Sequence, residues 1–185
     1  HDPMDLLELV FGSYASDPDH PWHRLERGEV SFDVARVEIG QLASERGWGD
    51  LDPLTVLSEL GSSGLEVREY MVDAVRMFRD QGIKTGVITN NVAEFGAMWR
   101  GLIPVDTLFD DVVDSSDVGV RKPNAAIFHL ACDRLGVAPS VAAFIDDFQG
   151  NVDGAISAGL AAVCCGYTDE STRVALGELQ VLVAR

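Results

Sequence analysis

From residue 65 onward the sequence alternates between helical patterns and short apolar runs. An amphipathic pattern spans Val67–Phe78 and can end at Gly82. After it, the predicted strands are "IKTGVIT" (83–89), "TLFDDVVD" (107–114), "VAAFI" (141–145) and "LAAVCCG" (160–166), and the predicted helices are "NAAIFHLACDRLG" (124–136) and "NVDGAISAG" (151–159). Strands rich in Val and Ile that alternate with helices are typical of a parallel sheet covered on both faces. The pattern predicts an α/β fold over residues 65–185.

The first part of the chain carries helical patterns only. Helices are predicted over "MDLLELVF" (4–11) and over "SFDVARVEIGQLASERG" (31–47), where Ser31 can cap the helix. Between them, residues 12–29 are rich in Gly, Pro, Ser and Asp, which predicts a loop. The stretch "GSSG" (61–64) predicts a hinge, so we expect a small helical domain over 1–64 and an α/β domain over 65–185.

The charge balance excludes several classes of partner. The chain has 14 Lys and Arg against 30 Asp and Glu, a formal net charge of −16. This charge argues against binding to nucleic acid or to an anionic membrane surface. No apolar run reaches the about 20 residues that a membrane span needs, and no signal peptide is evident, so we expect a cytoplasmic protein. Three cysteines predict no disulfide framework.

Polar side chains follow three of the predicted strands or lie close to their ends. Thr89 and Asn90 end the first strand, Lys122 follows the second, and Asp146 and Asp147 end the third. Parallel strands place their carboxyl ends along one edge of the sheet, and ligands bind there. We therefore expect these groups to lie at that edge, which we call the rim. A hydroxyl, an amide, an ammonium and a carboxylate pair suit phosphoryl transfer. A hard cation such as Mg²⁺ would neutralise the two adjacent carboxylates.

Four stretches carry a resemblance to a known family. "GVITNN" (86–91), "VGVRKPNAAIF" (118–128) and "FIDDFQGNVDGA" (144–155) resemble motifs of the haloacid dehalogenase superfamily of hydrolases, which are mostly phosphatases. Within it, the resemblance is to the branch that includes the amino-terminal phosphatase domain of soluble epoxide hydrolases. "HPWHRLERGEVSFDVARVE" (20–38) resembles the helical cap of that branch. The resemblance implies a Rossmann-like parallel sheet with a small helical cap.

The resemblance also implies roles for the residues at the strand ends. Thr89 would bind the transferring phosphoryl group, and Asn90 would contact that group or the substrate. Lys122 would stabilise the nucleophilic carboxylate and the charge of the transition state. The implied substrate is a small phosphate monoester, hydrolysed through an aspartyl-phosphate.

The acidic motif is implied to hold the metal. Asp147 would ligate Mg²⁺, and Asp146 would be a second ligand or a catalytic group beside it. Asn151 would help to orient both carboxylates. The expected partner is a small phosphorylated substrate, and the protein could also form a homodimer.

One family motif is missing from the sequence. The family's nucleophile is an aspartate in an Asp-x-Asp motif on the first, central strand, and no strand of this kind is found. Asp17 and Asp19 spell Asp-x-Asp but follow no apolar run. Because a sheet without its central strand has a gap in its core, we expect that strand upstream in the same polypeptide or from a partner subunit.

Other functions stay open at this stage. A 2-haloacid dehalogenase of the same fold needs no metal and typically has serine and asparagine where this chain has Asp146 and Asp147, so the acidic pair argues against it. A fold derived from an enzyme but lacking its nucleophile could serve as an interaction module. His20 and His23 could bind a metal, but no third ligand is evident. The sequence does not identify the substrate.

Overall fold

The computed structural model describes residues 2–13, 19–61 and 66–184. The helices are α1 (Pro3–Phe11), α2 (Pro21–Glu26), α3 (Phe32–Glu45), α4 (Pro53–Gly61), α5 (Glu69–Asp80), α6 (Gly96–Arg100), α7 (Val105–Leu108), α8 (Ser115–Val118), α9 (Ala125–Leu135), α10 (Gln149–Ser157) and α11 (Asp169–Val183). The strands are β1 (Gly86–Thr89), β2 (Asp111–Asp114), β3 (Ala143–Asp146) and β4 (Ala161–Cys164). Asp17, residues 62–64 of the predicted hinge and the predicted domain boundary lie outside the described residues.

Helices α1 to α4 form one packed group, which we call the helical unit. Asp2 caps α1 by accepting a hydrogen bond from the backbone N–H of Met4, and Ser31 caps α3 as predicted. The helices share one apolar cluster, whose buried members are Val10, Trp22, Leu25, Ala35, Ile39, Val56 and Val92. Since Val92 follows β1, this cluster also attaches the helical unit to the α/β part of the chain.

Part of the predicted loop over residues 12–29 is a helix instead. Helix α2 begins at Pro21, and the Nδ1 atom of His20 accepts a hydrogen bond from the backbone N–H of Trp22 at 3.2 Å. The loop prediction was wrong here because proline, which breaks helix interiors, is well suited to the first helical position. A histidine can replace the usual Ser, Thr, Asp or Asn as the cap when its ring nitrogen is an acceptor.

The predicted alternation of strands and helices is confirmed in residues 66–184. β1 pairs with β2 in parallel from Gly86↔Asp111 to Thr89↔Asp114, and β3 pairs with β4 in parallel from Ala143↔Ala161 to Asp146↔Cys164. The second strand is shorter than predicted, because Thr107 and Leu108 belong to α7. Helix α11 was not predicted. None of the described helices is long and apolar enough to cross a lipid bilayer.

The four described strands form two separate sheets and not one. We call β1 with β2 the first half-sheet and β3 with β4 the second half-sheet. Both contact one cluster built mainly by α9 and α10, through Ile88 of β1 and Phe144 of β3. The opposite face of β3 packs on α5 and α11 through Ala143 and Ile145. The half-sheets therefore belong to one core. Their separation agrees with the sequence-based expectation that a central strand is missing between them.

Candidate active site

A buried ion pair lies at the carboxyl end of β3. The Nζ atom of Lys122 donates to Oδ2 of Asp146 at 2.7 Å, and both side chains are nearly inaccessible to solvent. The other oxygen, Oδ1, accepts from the backbone N–H of Phe148 and from Nδ2 of Asn151, each at 2.9 Å. The first carboxylate of the acidic pair is therefore neutralised by an ammonium and fully hydrogen-bonded, as burial requires.

Lys122 is also attached to the end of the first half-sheet. Its backbone N–H donates to Oδ1 of Asn90 at 2.8 Å, and its carbonyl accepts from Nδ2 of the same amide at 3.0 Å. Its ammonium lies 5.5 Å from the centre of the Phe144 ring, on β3. Lys122 therefore connects the two half-sheets: its backbone is hydrogen-bonded to Asn90, which follows β1, and its ammonium is hydrogen-bonded to Asp146 of β3. Asn90, predicted to contact the phosphoryl group or the substrate, holds the lysine backbone in this structure.

Thr89 is the last residue of β1 and lies beside Asp114 in the ladder. Its hydroxyl has one weak contact within the described chain, to the carbonyl of Asn90 at 3.5 Å. The next residue, Asn91, is fixed by Nδ2 donating to Asp114 at 2.8 Å and by its backbone N–H donating to Ser115 at 3.0 Å. The backbone at the rim is thus held firmly while the Thr89 hydroxyl keeps hydrogen-bonding capacity for a ligand.

Asp147 differs from Asp146 in its exposure and in its contacts. It is exposed, and its carboxylate makes no hydrogen bond or ion pair with the described part of the chain. Its backbone carbonyl accepts a weak hydrogen bond from Sγ of Cys164 at 3.7 Å. The structure thus separates two adjacent carboxylates into one that neutralises Lys122 and one that is available at the rim.

The donor groups at the rim fit a hard cation only in part. Mg²⁺ takes carboxylate oxygens and keeps several waters, and the carboxylate of Asp147 suits it. Oδ1 of Asn151 is buried without a hydrogen-bond partner in residues 2–13, 19–61 and 66–184, so a water or another donor beside Asp146 would satisfy it. Across the same residues, no three His, Cys, Asp or Glu side chains converge on one point. A complete metal site therefore needs a further ligand.

The electrostatic environment at the rim is negative. Burial raises the pKa of the Cys165 thiol, and the charges of Asp147 and Asp146 raise it further. Cys165 follows the end of β4, beside β3 in the second half-sheet. A thiol whose pKa is raised in this way is unreactive, and a cation near Asp147 would offset only the smaller part of the shift that comes from that carboxylate.

The other candidate residues lie away from this rim. The carboxylate of Asp19 lies 3.7 Å from Nε of Arg24, within the helical unit, and Asp17 is outside the described residues. His20 uses Nδ1 as the cap of α2 and places Nε2 3.2 Å from the carbonyl of Leu9. With both ring nitrogens engaged, His20 acts as a structural residue. The observed contacts give no support to a metal site at His20 and His23.

A family model described as haloacid dehalogenase-like hydrolase matches residues 24–159 of the chain. Among curated proteins, acyl-CoA dehydrogenase family member 10 of Mus musculus is 33% identical over 76% of this chain and 13% of that protein. Bifunctional epoxide hydrolase 2 of Mus musculus is 25% identical over 92% of this chain and 32% of that protein. Glyceraldehyde 3-phosphate phosphatase of Methanopyrus kandleri is 34% identical over 50% of this chain and 40% of that protein. The chain spans less than half the length of each of these relatives.

Solved structures show the same fold. A predicted HAD-like family hydrolase from Porphyromonas gingivalis has a TM-score of 0.67 at 22% identity, over 96% of this chain and 88% of that one. A HAD family enzyme from Bacteroides thetaiotaomicron, solved as a magnesium complex, has a TM-score of 0.64 at 16% identity, over 92% of this chain and 87% of that one. These similarities confirm the fold class that the motifs predicted.

Proposed function

The chain belongs to the haloacid dehalogenase-like hydrolases, and we propose that it is a Mg²⁺-dependent phosphatase of small phosphate monoesters that acts through an aspartyl-phosphate. The observation that carries this proposal is the placement of Lys122 between the ends of the two half-sheets, 2.7 Å from Asp146. A fixed ammonium at the carboxyl ends of parallel strands is suited to the charge that accumulates on a transferring phosphoryl group.

Each residue of the rim has a proposed task. The Thr89 hydroxyl donates a hydrogen bond to a phosphoryl oxygen. The Lys122 ammonium neutralises the phosphoryl group and the attacking carboxylate, and Asp146 holds it in position. Asn90 sets the backbone of Lys122. Because the backbone and the ammonium of Lys122 are held by contacts already present in the structure, little rearrangement of this residue is needed when the substrate arrives.

Asp147 is the proposed ligand of Mg²⁺. Its carboxylate is exposed at the rim, whereas both oxygens of Asp146 already accept hydrogen bonds. When bound, Mg²⁺ supplies positive charge to the phosphate oxygens. Asn151 keeps Asp146 in place and thereby keeps the two carboxylates in different roles.

The proposed nucleophile lies on a strand between the half-sheets, from outside residues 1–185. β1 and β3 each have a described partner on one side only, and both pack on the same cluster through Ile88 and Phe144. An inserted strand would pair with both and would bury apolar side chains worth about 1.5–3 kcal/mol each. Its carboxyl end would reach the rim beside Thr89 and Asp146. The strand comes from the same polypeptide or from a partner subunit.

The helical unit is the proposed cap. It attaches directly beyond the rim, because Val92 joins its apolar cluster and the backbone N–H of Phe32 donates to Glu94 at 3.1 Å. A unit in this place can shield the reaction from water and contact the part of the substrate that does not react.

An interaction module is the second candidate. It is favoured by one observation, that no Asp-x-Asp follows a strand within the described residues. Such a module would keep the Lys122–Asp146 pair as a structural feature and would turn over no substrate.

The test uses the full-length polypeptide. Hydrolysis of p-nitrophenyl phosphate and of a panel of small phosphate monoesters is measured with Mg²⁺ and with excess chelator. We expect turnover with Mg²⁺ only. Undiminished turnover in chelator contradicts the metal assignment, release of chloride from 2-chloropropionate without metal supports the dehalogenase, and no turnover of any substrate supports the interaction module.

A further inference from the structure

We propose that Arg121 is a positioning residue that couples the helical unit to the ammonium of Lys122. This inference rests on the proposed function, in which Lys122 neutralises the phosphoryl group. Three consecutive residues, Arg121 to Pro123, each contact a different element of the fold. The position of the lysine is therefore set partly from the helical unit.

The first contact is a buried ion pair with helix α2. Nε of Arg121 donates to Oε2 of Glu26 at 2.7 Å, and the two side chains are 0% and 3% exposed. The other oxygen of Glu26 accepts from Nε1 of Trp22 at 3.0 Å. The carboxylate is thus fixed by a rigid indole one turn away on the same helix, and it in turn fixes the guanidinium.

The second and third contacts hold the residues that follow. Lys122 is held at its backbone by Asn90 and at its ammonium by Asp146. Pro123 lies directly against α10, so closely that a Cβ on Gly154 would be 2.4 Å from the carbonyl oxygen of Pro123. With neighbours on three elements, this segment cannot shift at one residue without moving the next.

A buried ion pair is better suited to fixing position than to adding stability. Desolvating an arginine and a glutamate costs much of what their attraction returns, and apolar replacements of similar size are often equally stable. The planar guanidinium, however, donates its hydrogen bonds only in fixed directions. The pair therefore defines one arrangement of α2 relative to Lys122, which an apolar contact would leave less sharply defined.

The test replaces the pair without leaving a buried charge. In the full-length protein, Arg121→Met is combined with Glu26→Gln, whose side-chain oxygen still accepts from Trp22. We expect a Tm within about 4 °C of the wild type. We expect kcat to fall on the order of 10–100-fold, because small displacements of a positioned group have effects of this size. KM should change less than kcat, since the ammonium acts mainly on charge in the transition state.

A matched control is available on the same helix. Nη1 of Arg24 donates to Glu38 at 2.9 Å, which joins α2 to α3 within the helical unit. Arg24→Met with Glu38→Gln makes the same two changes away from Arg121–Pro123, and kcat should stay near the wild-type value. An equal loss of kcat in this control would overturn the proposal.

A second readout is independent of activity. Residues 1–185 contain two lysines, Lys84 and Lys122. In the full-length protein, ¹³Cε labelling of lysine is combined with Lys84→Arg and with Lys122→Arg, each of which removes one NMR signal and thereby assigns it. The Arg121→Met and Glu26→Gln variant should shift the Lys122 signal and leave that of Lys84 in place. Arg121→Lys, which keeps the charge but not the planar fork, should recover part of kcat relative to methionine.

The two proposals fail in distinguishable ways. If the wild type hydrolyses no phosphate ester, the proposed function fails, and the Lys122 signal still decides whether α2 is coupled to the lysine. An unchanged Lys122 signal in the folded variant overturns the coupling. If the double variant does not fold, Arg121→Lys carries the test, and an unaltered Lys122 signal there overturns it equally.

Discussion

The Nζ atom of Lys122 and the Oδ2 atom of Asp146 lie 2.7 Å apart across the line that separates the two half-sheets. The pair is the direct polar contact between a segment held by β1 and the last residue of β3. Because both side chains are nearly fully buried, each needs the other for its charge to be tolerated.

Removing the lysine alone should destabilise the protein strongly. Lys122→Met leaves Asp146 buried without a cation, and we expect the free energy of unfolding to fall by about 3 kcal/mol. This value is at the lower end of the range for broken buried ion pairs, because Phe148 and Asn151 still donate hydrogen bonds to Asp146. Adding Asp146→Asn should recover part of this loss. Urea unfolding of both single variants and of the double variant measures it. Strictly additive effects would show that the two groups do not interact.

Asp147→Asn should remove activity and leave stability unchanged. The side chain is exposed and unbonded in the described structure, so the free energy of unfolding should change by less than about 0.5 kcal/mol. Loss of the proposed metal ligand should lower kcat/KM by at least about 100-fold, since metal assistance is worth several kcal/mol. Asp153→Asn, an exposed carboxylate on α10 bonded to Gln149, is the control and should keep full activity. Equal activity of the two variants would contradict the assignment.

Two glycines in helices should respond to alanine in opposite directions. At Gly154 a Cβ would lie 2.4 Å from the backbone oxygen of Pro123, so Gly154→Ala should destabilise the protein by about 1–3 kcal/mol. At Gly177, in α11, an added Cβ would have no neighbouring atom of the described residues within 4 Å, and Gly177→Ala should stabilise by up to about 1 kcal/mol through helix propensity. Thermal unfolding measures both. A neutral Gly154→Ala would mean that α10 and Pro123 can separate at little cost.

Stability should decrease in mild acid because of His20. Burial holds its pKa below the ordinary 6.5 in the folded protein. The hydrogen bond to the Leu9 carbonyl opposes this shift in part, and the charges of Arg46 and Arg121 add to it. The neutral ring is also the one that can accept from Trp22 and cap α2. The stabilising contribution is therefore complete above pH 6.5 and is lost as the pH falls through the folded pKa.

His20→Asn isolates this effect. Asparagine is a good helix cap that does not titrate, so the variant should keep α2 while losing the part of the pH dependence that His20 causes. Urea unfolding between pH 5 and pH 8, compared with the wild type, gives the difference directly. Identical pH profiles would show that another group is responsible.

The ends of strands can be predicted from the sequence because the rules are local and topological. Thr89 and Asp146 each follow an apolar run and are the last residues of β1 and β3, and parallel strands bring their carboxyl ends to one edge whatever the packing details are. The family expected from the motifs is confirmed by the match over residues 24–159. The ion pair of Asp146 with Lys122 was not predictable, since it depends on which of the two adjacent carboxylates faces the lysine.

The contact between Arg121 and Glu26 shows what sequence patterns miss. The two residues are 95 positions apart, and neither charge indicates that it is buried. One signal was present: Trp22 and Glu26 are four residues apart and share a face once α2 is recognised as a helix. The loop predicted over residues 12–29 concealed that helix, because proline counts toward loop composition although Pro21 occupies the first turn of α2.

The division into half-sheets also has a consequence for how the chain folds during synthesis. Each ladder joins strands that follow one another in the chain, so the first half-sheet can assemble before the residues of β3 have left the ribosome. The Lys122–Asp146 contact spans a similar stretch of sequence, but it has to wait until Asp146 has been synthesised. A nascent chain stopped after α9 should therefore already protect the amides of β1 and β2 from hydrogen exchange.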